Sequence, residues 1–214
     1  MRSRHQTGVR AALLALASLI GTHAMAQDRM PPISVDKMTD VQKKVVAEYK
    51  DIRKAEPAGP PWSVLLRVPD LVVPSLQLRL HNLNNSALSR KLTEFAILIA
   101  ARNWTNNYEW NAHQPLAATE GLSPAIIAAV ADGRRPEGMA EDEALLYDFC
   151  TELLNSKSVS DATYARAVAK FGEAGVIEAA SLEGYYTFLS MVMNTARSPL
   201  PAGAKPQLMP FPKN

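Results

Sequence analysis

The stretch LSRKLTEFAILIAARNWTNNYEWNAHQPLAATEG, Leu88 to Gly121, holds two helical patterns joined by a short polar break. Ser89 can cap a helix running to about Asn103. Leu92, Phe95, Ala96, Ile97, Leu98, Ile99 and Ala100 make that helix apolar on nearly every face, so it belongs at the centre of a helical assembly. Glu94 sits inside the run, with Ile97 and Leu98 three and four residues on. Its carboxylate therefore stands on a buried surface, a costly position without a partner.

Asn103 to Asn107 interrupts the pattern, and Asn106 followed three residues later by Glu109 has the form of an N-cap with a carboxylate reaching back. On the helix that starts there, Glu109 and His113 lie four apart and share a face. Pro115 cannot donate to the carbonyl of Asn111 and crowds that turn, which predicts a kink beside His113. Gly121 should close the helix as a left-handed cap.

Outward from this pair, Asp36 to about Lys54 carries Val41, Val45, Val46 and Tyr49 at helical spacing and reads as one amphipathic surface helix, ended by Pro57–Pro61. Asp70 can begin a helix through Leu80, closed by His81, which faces the helix dipole or solvent, and by Asn82 to Ser86. Ser123-Pro124 starts a helix ended near Gly133, and a further helix covers Met139 or Ala140 to about Asn155. Ser160 caps Asp161 to about Phe171. Gly172 and Gly175 separate that helix from Val176–Arg197, which is apolar nearly all round.

Gly184 in the last helix predicts a close approach by another helix, offsetting about 1 kcal/mol of lost helix propensity. Tyr185, Tyr186 and Phe188 read as core or subunit interface. The end, residues 198–214, carries five prolines and no periodicity, a polyproline-like tail that is loose or laid across a neighbouring subunit. No segment alternates with period two over a useful length, so the fold class is all-α.

The chain opens with Arg2, Arg4 and Arg10, then an apolar run, then Ala24-Met25-Ala26. This is the pattern of a secretory signal peptide cleaved after Ala26, and it places the mature protein in the periplasm or outside the cell. The full chain of 214 residues has 23 basic and 21 acidic residues. Losing residues 1–26 removes three arginines and no acid, which leaves 188 residues with 20 basic against 21 acidic. A nucleic-acid partner is excluded for want of a basic stripe, and no membrane contact is expected after cleavage. Cys150 is the sole cysteine, which rules out an internal disulfide and dithiol redox chemistry, and its helical segment predicts burial. The expected organisation is a leader at 1–26, an N-terminal arm and helix at 27–59, one helical domain at 60–197 and the tail at 198–214.

A glutamate, a pair of positions twelve and fifteen residues later and a histidine four further on is a spacing met by Glu94, Asn106, Glu109 and His113. It resembles the active-site pattern of the carboxymuconolactone decarboxylase and alkyl hydroperoxidase D superfamily, and YEWNAH and EGYYTFLSMVMN look like its cysteine-free branch. The resemblance spans roughly Pro60 to Arg197. It implies a single all-α domain of the alkyl hydroperoxidase D-like type, with extended arms at both ends, assembled as a homo-oligomer, a trimer or hexamer. In the peroxidase branch the middle pair is Cys-x-x-Cys, so thiol peroxidase activity is disfavoured: Asn106 supplies no thiolate.

The resemblance also implies a small-molecule substrate, a carboxylated lactone or related unsaturated acid, and no cofactor. Loss of carbon dioxide leaves a carbanion that an acid must protonate. His113 is the candidate acid, tuned by Glu94, with Tyr108 or Asn106 offering a hydrogen bond to the enolate and Arg102 receiving the carboxylate. Glu109 reads equally as a catalytic carboxylate or as a helix cap. The same pair could run an isomerisation or hydration. Two further readings stand beside this one: a metal site on Glu94, Glu109 and His113, and a binding or structural oligomer without catalysis.

Overall fold

A computed structural model describes residues 28–210. The expected leader and the last four residues of the tail lie outside the described residues. Eight α-helices and two short 3-10 turns make up the described chain, with no strand among them. In order they are α1 (Asp40–Arg53), α2 (Trp62–Leu65), α3 (Val72–Asn84), α4 (Arg90–Asn103), α5 (Asn107–Thr119), α6 (Pro124–Ala131), α7 (Glu141–Ser156) and α8 (Asp161–Ala196).

The apolar run of α4 puts it in the middle, packed against α5, α7 and α8. Phe95, Ala96, Ile97, Leu98, Ala100 and Ala101 have no exposed surface. Burying Phe, Ile and Leu side chains contributes about 1.5–3 kcal/mol each, the gain against which one buried carboxylate in the same helix is set. Ser89 Oγ accepts from the Leu92 amide and starts the helix as expected. Around it, α1 packs on α3, and Tyr49 of α1 meets Trp62 at a ring separation of 5.1 Å.

Several boundaries differ from expectation for identifiable reasons. α1 begins at Asp40 rather than Asp36, because Thr39 and Gln42 form a reciprocal cap; Val35–Lys37 is a separate 3-10 turn. Gln42 turns inward and donates to the Leu66 carbonyl at 2.8 Å, while Val41 faces solvent. α3 begins only at Val72, after the Pro69–Leu71 turn, and passes Asn82, which is buried and accepts from Ser181 Oγ at 3.0 Å. His81 sits at the surface, 3.2 Å from Glu178.

α6 starts at Ser123-Pro124 and ends before Gly133, as read from the sequence. The break in α8 falls at Gly172 alone, whose φ of 71° and ψ of 170° only glycine adopts readily. Gly175 continues the helix, buried beside Leu88. Gly184 meets no close neighbour: no atom lies within 4 Å of where its Cβ would be, because it sits on the solvent side of α8. The expected helix approach is therefore not made within this chain.

Both arms are anchored. The Arg29 amide donates to the Ala196 carbonyl at 2.8 Å, and Arg67 donates to the Pro31 carbonyl at 2.7 Å. The described part of the tail, to Pro210, is tied down along its own chain. Asn107 Oδ1 accepts from the Gln207 and Leu208 amides at 2.8 Å each, Trp110 Nε1 donates to Gln207, and Arg102 Nη1 donates to the Met209 carbonyl at 2.8 Å. One of the two leucines of the terminal Pro-rich run explains the difference: Leu208 is buried in the main core.

Candidate active site

The site is made by the turn between α4 and α5. Past Asn103 the chain reverses with Thr105 at a positive φ of 47°, the Thr105 amide donating to Arg102 and the Asn106 amide to Ala101 at 2.8 Å. This is the left-handed ending of a helix with threonine where glycine is usual. Asn106 then caps α5, its Oδ1 accepting from the Glu109 amide at 2.9 Å. Its Nδ2 contacts the Ser190 carbonyl and Asn194 Oδ1 and fastens the turn to α8.

The Asn106 amide is already satisfied by Ala101, so the Glu109 carboxylate does not reach back to it. It lies instead 3.4 Å from His113 Nε2, one turn along α5. The other ring nitrogen, Nδ1, meets Glu94 Oε2 at 2.7 Å. The opposite oxygen of Glu94 is 2.6 Å from Arg90 Nη2, four residues earlier on α4, and Arg90 Nη1 donates to the Leu83 carbonyl. The resulting row is guanidinium, carboxylate, imidazole, carboxylate, and Glu94, Glu109 and His113 are all buried. Helical pairing within α5 continues through Pro115 to Thr119, and Gly121 follows at a φ of 89° as the expected cap.

Burial alone would push the imidazole below its ordinary 6.5, but the carboxylates of Glu109 and Glu94 outweigh that cost and raise its pKa to about 9. At neutral pH the ring is an imidazolium with both N–H groups aimed at carboxylates. Tyr186 of α8 stands edge-on to it, ring centres 5.1 Å apart at 85°.

His113 and Glu109 open onto a cavity of about 130 Å³. α5 contributes Tyr108 and Ala112, α8 contributes Tyr186 and Leu189, and the far wall is Pro60, Pro61, Trp62 and Arg79. Glu94 does not line it, so the Nδ1 edge of the imidazole faces the core and the Nε2 edge lies on the cavity side. Tyr108 is partly buried, and burial followed by the charge of Glu109 holds its hydroxyl above its ordinary value of 10.

Of the six residues singled out from the sequence, His113, Glu94, Glu109 and Tyr108 come together here. Asn106 and Arg102 do not. Asn106 is spent on the helix cap and on α8. Arg102 points to another hollow, of about 260 Å³, beside Asn103, Tyr147 and Thr151, and holds the tail. That larger hollow holds no histidine and no acid. The sequence reading missed Arg90, although its position four residues before Glu94 was a usable signal. It also missed Arg79 and Trp62, which come from separate segments with no local pattern to mark them.

A metal held by Glu94, Glu109 and His113 does not fit this geometry. The carboxylates sit at opposite nitrogens of one ring, with both ring nitrogens engaged, so the three donors do not converge on a point. Among the described residues no group of three or more His, Cys, Asp or Glu side chains is arranged to hold an ion.

The helix order and the central pair α4–α5 define the alkyl hydroperoxidase D-like fold. A solved structure with this architecture is the alkylhydroperoxidase AhpD core of an uncharacterized peroxidase-related protein from Ralstonia eutropha JMP134. It matches with a TM-score of 0.61 at 15% identity, covering 81% of this chain and 92% of that one. No protein-family model matches the chain, and no curated protein sequence matches it. Cys150, the chain's single thiol, is fully buried and lies on α7, away from the cavity wall.

Proposed function

We propose that the protein is an acid–base enzyme of the carboxymuconolactone decarboxylase type, in which His113 donates a proton to a carbanion or enolate carbon of a small unsaturated acid or lactone. The observation that carries this reading is the imidazolium clamped between Glu94 and Glu109 at the wall of a small cavity. Such a ring is a proton donor of matched strength for a carbon base, and its charge is fixed before substrate arrives.

When carbon dioxide leaves, or when the Glu109 carboxylate takes a proton from the carbon next to a carbonyl, an electron pair is delocalised into the adjoining C=O. The N–H at the Nε2 edge of His113 delivers its proton to carbon, and the ring becomes neutral. Glu94 holds the other nitrogen and keeps the ring oriented. Glu109, at the cavity side, is placed to return a proton from solvent. The Tyr108 hydroxyl, at the same wall, can donate to the enolate oxygen.

The basic start and the Ala24-Met25-Ala26 site support export of the mature chain. Ile177 and Met191 of α8 are exposed, and with Gly184 they recur every seven residues on one face, which supports assembly through that helix.

The test is turnover of a panel of unsaturated lactone acids and small unsaturated acids in deuterated buffer, following carbon dioxide release and deuterium incorporation at carbon. Wild type should turn over at least one of them, and His113→Gln should lose about 100-fold or more with its helical spectrum intact. An unchanged rate in His113→Gln, or no exchange on any panel member, overturns the reading.

A further inference from the structure

We propose that Arg79 is the residue that recognises the substrate, by pairing with its carboxylate, and that the cavity selects a small monoanion. This deepens the acid–base reading above and rests on it. Arg79 comes from α3, lines the same cavity as His113 and Glu109, and is partly buried. It makes no hydrogen bond or ion pair with any described residue. Its charge acts on the hydroxyls of Tyr49, Tyr185 and Tyr186, and no carboxylate among the described residues is paired with it directly.

The charge balance of the site states what is missing. Arg79, Arg90 and His113 are cations, while Glu94 and Glu109 are the anions, so the row and the cavity wall together hold one positive charge in excess. Arg90 is bound to Glu94 on the core side, and His113 has a carboxylate at each nitrogen. The surplus is therefore Arg79, and its planar fork suits a carboxylate in two-point contact. A substrate with one negative charge neutralises it. A second carboxylate would meet Glu109 or the apolar wall of Trp62 and Leu189 at a desolvation cost.

Size gives the same answer. At about 130 Å³ the cavity is a little smaller than the roughly 150 Å³ space that admits benzene. It has room within it for about six heavy atoms, the size of a four-carbon acid, and a larger acid would extend through its open side. Tyr186 also lines the wall, and its buried hydroxyl has no partner among the described residues.

Crotonate, crotonamide and fumarate separate the claims, because the amide removes the charge and fumarate replaces the methyl group with a second carboxylate. Titration calorimetry of the full mature chain should give tightest binding for crotonate, with crotonamide and fumarate each weaker by about tenfold or more. Arg79→Gln should lose that preference, Arg79→Lys should restore part of it, and Arg102→Gln should leave it unchanged. Since Arg79 has no partner to lose, circular dichroism should show each variant folded.

Equal affinity for crotonate and crotonamide, tighter fumarate binding, no crotonate binding at millimolar concentration, or full crotonate affinity in Arg79→Gln overturns the proposal. These arms read binding alone. Charge-selective binding without turnover would leave the anchor and remove the acid–base reading, while turnover with an unchanged KM in Arg79→Gln would do the reverse.

Discussion

His113 and Glu94, nineteen residues apart on different helices, meet at 2.7 Å between Nδ1 and Oε2, and Glu94 has no exposed surface. A carboxylate so placed is tolerable only while its charge is answered, here by His113 on one oxygen and Arg90 on the other. Glu94→Gln keeps the shape and removes the charge. The His113 pKa, at about 9, should then fall by roughly one to three. Ring-proton NMR against pH reads the change, and a value that stays near 9 would show that Glu109 alone sets it. Stability should also drop by about 3 kcal/mol, since Arg90 and His113 would face each other without the anion between them.

The raised pKa of His113 makes folding pH-dependent in a defined direction. Its folded value of about 9 lies above the ordinary 6.5, so the folded state holds this proton more tightly than the unfolded chain does. The stabilisation is fully present below pH 6.5 and is lost as pH rises through 9; a move of that size corresponds to on the order of 3 kcal/mol. Urea midpoints at pH 6 and pH 9.5 should differ accordingly in wild type and much less in His113→Gln. Equal differences in the two proteins would assign the pH dependence elsewhere.

What the sequence disclosed follows the range of the forces involved. Glu109 and His113 share a face because of a four-residue period, Asn106 caps because of its short amide, and α4 is central because its apolar run has no polar side; all three are local. Arg102 was misplaced by helix phase. It lies eight residues beyond Glu94, about 12 Å along the axis and about 80° around it, so the two cannot serve one cavity. Arg79 was illegible because α3 reaches the cavity through tertiary packing alone. In the tail, proline-rich composition concealed one buried leucine, and in α8 a glycine that suggested close packing stands in the open.

A second buried acid has no such partners. Neither carboxyl oxygen of Glu183 on α8 has a nitrogen or oxygen partner; burial raises its pKa from 4.5 to about 8, and only the nearby Cys150 thiol, as a weak donor, acts against the rise. The folded state thus keeps Glu183 protonated where the unfolded chain ionises it, and stability falls as pH rises from about 4.5 to 8. Glu183→Met, apolar and of similar volume, should raise the thermal midpoint, with a gain of about 1–3 kcal/mol that is larger at pH 8 than at pH 5. A loss of stability at both pH values would show that this acid has a partner in solution.

The tail makes a claim of its own. Leu208 is buried in the core, and its own backbone amide and carbonyl are held by the side chain of Asn107, one residue from the cap of α5. Leu208→Ala should cost about 2–3 kcal/mol by leaving a cavity. Asn107→Ala should release the same segment to proteolysis after Lys205 and cost less. If both variants melt with wild type, the tail is held from outside this chain.

Thr105 is the residue whose backbone shapes the site at greatest local cost. It carries a β-branched side chain at a φ of 47°, a region that costs such residues roughly 1–2 kcal/mol, and this single reversal sets α5 against α4 so that His113 meets Glu94. Glycine at this position removes the side-chain clash but adds freedom to the unfolded chain, worth about 0.5–1 kcal/mol in the other direction. The balance favours Thr105→Gly by about 0.5–1 kcal/mol, and Thr105→Asn should gain part of that, because asparagine tolerates the same conformation. Thermal midpoints decide between this account and one in which the threonine side chain is itself needed. A stabilised Thr105→Gly with an unchanged His113 pKa would show that the turn, and not its side chain, aligns the pair. A destabilised variant would mean that Thr105 contacts outweigh the strain of its backbone.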